Sequence, residues 1–201
     1  IPYHITGGTA FLDRGEVKDV LAWLRVIANP DDDAAFLRAV TSPKREVGST
    51  SLEKLAQLAH NAHVPLSLAA QNSSYMSALS ARPAAGLAES SRLIVKLRGQ
   101  SKNGKAADIV RAVINESGIL AQLRLETKNE ALFLRRKENL DELAQWFESE
   151  RRPSGAGDLA AQMALLSNAD RGEPGNQVRL MSLHAAKGLE FRCVFIVGCE
   201  Q

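Results

Sequence analysis

The chain is poor in the features that mark secreted, membrane-bound or polyanion-coating proteins. It has two cysteines in 201 residues. Cys193 and Cys199 lie in one strand-like run and cannot build a disulfide framework; reduced thiols in a cytoplasmic protein fit them best. There is no signal peptide and no apolar run long enough to cross a membrane. Aromatic residues are only 5% of the chain, and the Ala- and Leu-rich remainder favours helix. A net charge of +2 cannot by itself argue for a nucleic-acid partner, which would need a local patch. No Gly-x-x-x-x-Gly-Lys-Ser/Thr phosphate loop occurs, so a complete site for a nucleoside triphosphate is not expected. No Ser-His-Asp or Cys-His arrangement points to a nucleophile.

What remains is ordinary globular composition, with 45% hydrophobic and 24% charged residues, in a chain long enough for one or two domains. Residues 2–6 read as a strand closed by Gly7-Gly8. Residues 16–28 read as a helix, with Val17, Val20, Leu21, Leu24, Ile27 and Ala28 at helical spacing and Asn29-Pro30 as the stop. Asp31 to Asp33 can cap a helix through about Val40, and Thr41-Ser42-Pro43 breaks it. Thr50-x-x-Glu53 has the pattern of a capping box before Leu52, Leu55, Leu58, Ala59 and Ala62. Further helices are expected near 66–80, 83–98, 105–117, 119–126, 130–149 and 159–168, with Gly118 as a helix C-cap. Loops are expected at 151–157 and 171–176. Apolar runs at 178–183 and 193–198 read as buried parallel strands. The fold class is therefore mainly α. A helical block, 30–173, is inserted into an incomplete α/β domain, 1–29 and 174–201, whose two ends share a small parallel sheet with an exposed edge.

The richest chemistry lies between the last two runs. Ser182, His184, Lys187, Gly188 and Glu190 place a hydroxyl, an imidazole, an ammonium, a flexible backbone and a carboxylate within nine residues. Polar groups at the carboxyl end of such a strand are where α/β folds place ligands. The segment Val178 to Phe191, followed by Cys193 to Gly198, resembles motif V of superfamily 1 DNA helicases of the Rep/UvrD/PcrA type, with Ser182 where Thr is usual. Ile1 to Gly8 with Phe11, Glu16 to Arg25, Asn29 to Phe36 and Thr41 to Arg45 also resemble that family, closest to the Rep branch. So does Glu138-Asn139-Leu140-Asp141-Glu142-Leu143. The likeness is clear at about 1–55 and 176–201 and thin between.

The resemblance implies a bacterial, cytoplasmic ATP-dependent helicase that moves 3′ to 5′ on single-stranded DNA and unwinds duplex. This chain would be a piece of it: the accessory domain 2B with flanking parts of the RecA-like domain 2A. Its partners would be single-stranded and duplex DNA and the remaining domains (1A, 1B and the rest of 2A). ATP and Mg2+ would serve the full-length parent, none being expected on the piece alone. Ser182, His184 and Lys187 would face single-stranded DNA, and Glu190, Lys187 and Gly188 the nucleotide. The alternatives are an autonomous DNA-binding or regulatory module, or a piece of a recombination helicase-nuclease.

A second segment, Pro43 to Ser51, suits one phosphate. Lys44 and Arg45 supply charge, and Gly48, Ser49 and Thr50 open a helix whose free amides favour an anion. In the family a Gly-apolar-Gly turn here touches duplex DNA. This chain keeps Gly48 but has Glu46 at the first glycine, and a carboxylate there repels phosphate unless Lys44 or Arg45 neutralises it. The remaining features have plainer readings. Arg135-Arg136-Lys137, Arg151-Arg152, Lys96, Arg98, Lys102 and Lys105 read as solvated helix faces. His60 and His63 lack further metal ligands nearby. Cys193 and Cys199, and Trp23 and Trp146, read as core.

Overall fold

The computed structural model describes residues 3–6, 11–149, 159, 163, 178–181, 183 and 186–198. Two short strands, β1 (Tyr3–Thr6) and β2 (Val178–Met181), pair in parallel with Tyr3 opposite Val178 and Thr6 opposite Met181. The two chain ends therefore do meet in one sheet. A 3-10 turn at Phe11–Asp13 leads to α1, Gly15–Ala28. There follow α2 (Asp33–Thr41), α3 (Ser49–Ala62), α4 (Leu66–Ala69), α5 (Ser73–Ser77), α6 (Ala81–Ser101), α7 (Ala106–Glu116), α8 (Ile119–Glu126) and α9 (Glu130–Ser149). The molecule is mainly helical, as the patterning requires.

α1 is the hub of the helical core. Its stripe of Val17, Val20, Leu24 and Ile27 is buried, and so are Ala22, Trp23 and Val26 on its other side. A helix apolar nearly all round must be surrounded, and α1 packs against α2, α6, α7, α8 and α9. Each large side chain buried there contributes about 1.5–3 kcal/mol. By packing, α1 goes with the helical block, although the expected division places residues 1–29 with the sheet. α9 closes the core through Leu140, Leu143, Ala144 and Phe147, one face at helical spacing.

Polar contacts fix the joints. Asp32 caps α2 by accepting from the Ala35 amide at 2.9 Å. Asp33 accepts from the Leu66 amide at 2.8 Å, so the acidic run is used for capping, as expected. Arg98 donates to the carbonyls of Val26 and Ile27 at 2.7 and 3.1 Å. It closes the carboxyl end of α1, where a cation is favoured, and is not the solvated charge of the sequence reading. Beside α1's first turn, buried Glu16 accepts from Asn139 Nδ2 at 2.6 Å, while Asn139 Oδ1 accepts from Arg14.

Four expectations need correction. Residues 193–198 form no strand; Phe195 and Val197 are each 89% exposed. An apolar run becomes a buried strand only when neighbours pair with it and cover both faces, and none does so among the described residues. Cys193 is accordingly exposed, not core. The 66–80 region is two short helices: the first ends at Ala69 with Ala70 as its C-cap, and Asn72 caps the next by accepting from the Ser74 amide. The Thr50–Glu53 capping box does not form: α3 begins two residues earlier than that box requires, at Ser49, with Gly48 as its cap and no capping side chain. The expected loops at 151–157 and 171–176, most of the 159–168 helix, and Cys199 lie outside the described residues.

Candidate nucleic-acid interface

Two turns carry the candidate chemistry. The first follows β2. The Leu189 amide donates to Ala186 O at 3.0 Å, closing a turn in which Gly188 has φ +83°. This is the left-handed conformation that favours glycine at the third position of such a turn. Among the described residues, nothing lies within 4 Å of where a Gly188 Cβ would be. Lys187, Gly188 and Glu190 are all exposed. Ser182 and His184 lie outside the described residues.

The second turn, Pro43 to Gly48, links α2 to α3. Lys44 is exposed, and its ammonium has no ion-pair partner among the described residues. Gly48 has an extended backbone, φ −91° and ψ 169°, with nothing among the described residues within 4 Å of its missing Cβ. Neither conformation nor packing among the described residues demands glycine there. The Gly48 carbonyl accepts from the Ser51 and Leu52 amides, each at 3.2 Å. The Ser49 and Thr50 amides, at the start of α3, are left to point outward. Ser49 and Thr50 are exposed.

Arg45 is committed to the interior. Its guanidinium donates to the carbonyls of Pro43 (3.2 Å) and Ser117. It lies 5.2 Å from the centroid of the Trp23 ring, a cation–π distance, and 3.7 Å from Glu89. Burial lowers its pKa, and Glu89 partly offsets this. Trp23, whose Nε1 donates to Ser42 O at 3.1 Å, is the floor of the turn. Glu46 has φ +58°, which explains why glycine suits this position. Its carboxylate lies 3.7 Å from Arg82, so the neutralising cation is on α6 and is neither Lys44 nor Arg45.

Several of the other basic residues lie on exposed helix faces, as the sequence suggested: Lys96, Lys102, Lys105, Arg135 and Lys137 are all exposed. Lys96 pairs with Glu116 at 2.6 Å, and Lys137 with Asp141 at 2.9 Å. His60 and His63 are exposed, and no cluster of three or more potential metal ligands exists among the described residues. Trp23 is fully buried, and Trp146 packs partly against the core. No described helix is long and apolar enough to cross a membrane.

Sequence reasoning missed the residues that hold the second turn, namely Ser117, Gln122 and Gly86. Gln122 Oε1 accepts from the Lys44 amide at 2.5 Å. The one available signal was a glycine inside a long helix, which is worse there than alanine by about 0.5–1 kcal/mol and so calls for a packing reason.

Comparison with known proteins agrees with the motif reading and extends it. The chain is 35% identical to the ATP-dependent DNA helicase PcrA of Bacillus subtilis, over 99% of its own length and 28% of that protein. It is 34% identical to the ATP-dependent DNA helicase Rep of Escherichia coli, over 100% of the chain and 31% of the relative. It is 36% identical to DNA helicase II of Escherichia coli, over 100% and 29%. The chain thus spans about three-tenths of these relatives, and the likeness runs through the helical block as well as both ends. All 201 residues match one family, and the chain belongs to it: the UvrD-like helicase C-terminal domain.

Proposed function

We propose that this chain serves an ATP-dependent DNA helicase as its 2B accessory domain with adjoining parts of 2A, in an enzyme that moves 3′ to 5′ on single-stranded DNA. The observation that carries this reading is the whole-length likeness to three named DNA helicases. On packing, α1 is counted with the helical part. Lys44 and the Ser49 and Thr50 amides grip one duplex phosphate, and Gly48 leaves room for it. Arg45 holds the turn in shape and does not reach DNA itself. Ser182, His184 and Lys187 face the single strand.

Lys187, Gly188 and Glu190 form one wall of the nucleotide site. The exposed ammonium and the open, left-handed glycine fit a phosphate approaching from outside, and Glu190 fits a ribose hydroxyl or water. ATP, with its Mg2+, would supply the free energy of closure; the other walls belong to neighbouring domains. Lacking a phosphate loop, the chain alone turns over no ATP.

The test is binding to a fluorescent duplex with a single-stranded tail, read by anisotropy against salt. One lost phosphate contact lowers the salt slope by about 1 and, at 0.1 M salt, the affinity by about eightfold. Lys44→Ala should do both. Lys102→Ala is the control: Lys102 is exposed at the far end of α6, about 24 Å along the helix from Gly86. Equal losses from the two variants would mean diffuse attraction and would defeat the assignment.

A further inference from the structure

The turn that carries Lys44 is held mainly by a part of the chain in which the sequence points to no functional residue. Gly86, in the interior of α6, is buried because the turn runs directly over it. A Cβ there would lie far inside van der Waals contact with Arg45 O, and only 3.0 Å from Arg45 Cβ and 3.1 Å from Val47 Cγ2. The nearest atom is backbone, so relief requires the turn itself to move. From the other side, the link between α7 and α8 presents Ser117 O to the Arg45 guanidinium. Gly118 sits where a Cβ would come 3.4 Å from Pro43 Cγ. Gln122 on α8 accepts from the Lys44 amide itself.

We infer that Gly86 and Gln122 are positioning residues for nucleic-acid binding: α6 and α8 clamp the 43–48 turn so that Lys44 and the first amides of α3 reach one phosphate together. This rests on the proposed role of the turn. A flexible turn could bring up a lysine, but it could not hold two backbone amides and an ammonium on one oxygen cluster without losing conformational entropy at each encounter. Gly99, on the same helix, is the internal control, because nothing among the described residues lies within 4 Å of its Cβ position.

The experiment measures tailed-duplex affinity by anisotropy for Gly86→Ala, Gln122→Ala and Gly99→Ala, each with and without Lys44→Ala, after circular dichroism has verified folding. Gly86→Ala and Gln122→Ala should weaken binding by about threefold or more, given that one phosphate contact is worth about eightfold at 0.1 M salt. In either background, adding Lys44→Ala should lower affinity by less than about threefold, in place of the eightfold seen in the wild-type background, because the contact is already impaired. Gly99→Ala should raise the melting temperature and leave affinity unchanged. If Lys44→Ala weakens binding but the folded Gly86→Ala and Gln122→Ala proteins bind as wild type, the positioning inference is wrong and the role of the turn survives. A wild-type affinity for Lys44→Ala would overturn both. Should Gly86→Ala not fold, Gln122→Ala decides alone, since it removes one acceptor from the partly exposed side of α8.

Discussion

Replacing Asn139 by Ala tests how the two ends of the helical block are tied together. Asn139 lies on α9 and meets groups of α1's first turn more than 120 positions away, its Nδ2 donating to Glu16 Oε1 at 2.6 Å with a sequence separation of 123. Its Oδ1 accepts from Arg14, so both partners are charged. Hydrogen bonds to charged groups contribute about 1.5–3 kcal/mol each, which sets a gross loss of about 3–6 kcal/mol. Two effects reduce it. Alanine is a better helix former than asparagine by about 0.5 kcal/mol. Glu16 also keeps Arg136 at 3.9 Å and the free amides at the start of α1. The expected net destabilisation is about 2–3 kcal/mol, or a melting temperature about 4–12 °C lower for a chain of this size. Urea unfolding followed at 222 nm measures it, with thermal melts as the second probe. In the Asn139→Ala background, Glu16→Gln should then recover part of the loss, because the buried carboxylate left short of donors is gone. A loss under about 1 kcal/mol, or no recovery on neutralising Glu16, would refute the argument that a buried charge is being satisfied.

Two further substitutions probe local chemistry. Glu46→Gly should stabilise the protein by about 0.5–1 kcal/mol: it relieves a left-handed residue, worth about 1–2 kcal/mol, against the extra freedom of glycine in the unfolded chain. It should also tighten tailed-duplex binding by removing a carboxylate from the turn. A lower melting temperature would mean that the exposed Arg82 pair holds the turn more strongly than such pairs do. Thr127→Val should raise the urea midpoint by the equivalent of about 1 kcal/mol. Thr127 Oγ1 is buried without a partner among the described residues, and the extended backbone there, φ −103° and ψ 105°, suits a β-branched side chain; an unchanged or lower midpoint would point to a hydrogen bond that the hydroxyl does make.

The helices were legible where periodicity and punctuation agree. α9 shows its buried face as Leu140, Leu143, Ala144 and Phe147, and Asn29-Pro30 and Gly118 stop helices where expected. α1 was legible as a helix but not as the hub, because a one-faced stripe does not reveal that Trp23 and Val26, off that stripe, are buried as well. The start of α3 was misread because a capping-box pattern states which side chains could cap, while Gly48 lets the helix begin without one. The 193–198 run has the composition of a buried strand, but composition cannot supply the neighbours that make it one. The resemblance located both candidate turns, and it was silent on how the second is held. No local pattern says that the acceptor for Arg45 is a carbonyl 72 positions away.

That last point changes what the Lys44-Arg45 pair means. Adjacent cations before a helix read as two charges offered to a phosphate, yet the structure divides them. Arg45 can make a planar fork of hydrogen bonds and stack on a ring, and it does both inward, against two carbonyls and Trp23. Lys44, a compact charge on a flexible stem, is the one left facing solvent. An exchange of the two residues would preserve net charge and lose the arrangement, since lysine at position 45 could satisfy neither the fork nor the stacking geometry. The outward chemistry of the turn is therefore slight, one ammonium and two amides. On the proposed role of the turn, any grip on a phosphate would depend on how firmly Trp23, Gly86, Ser117 and Gln122 hold those three groups in place.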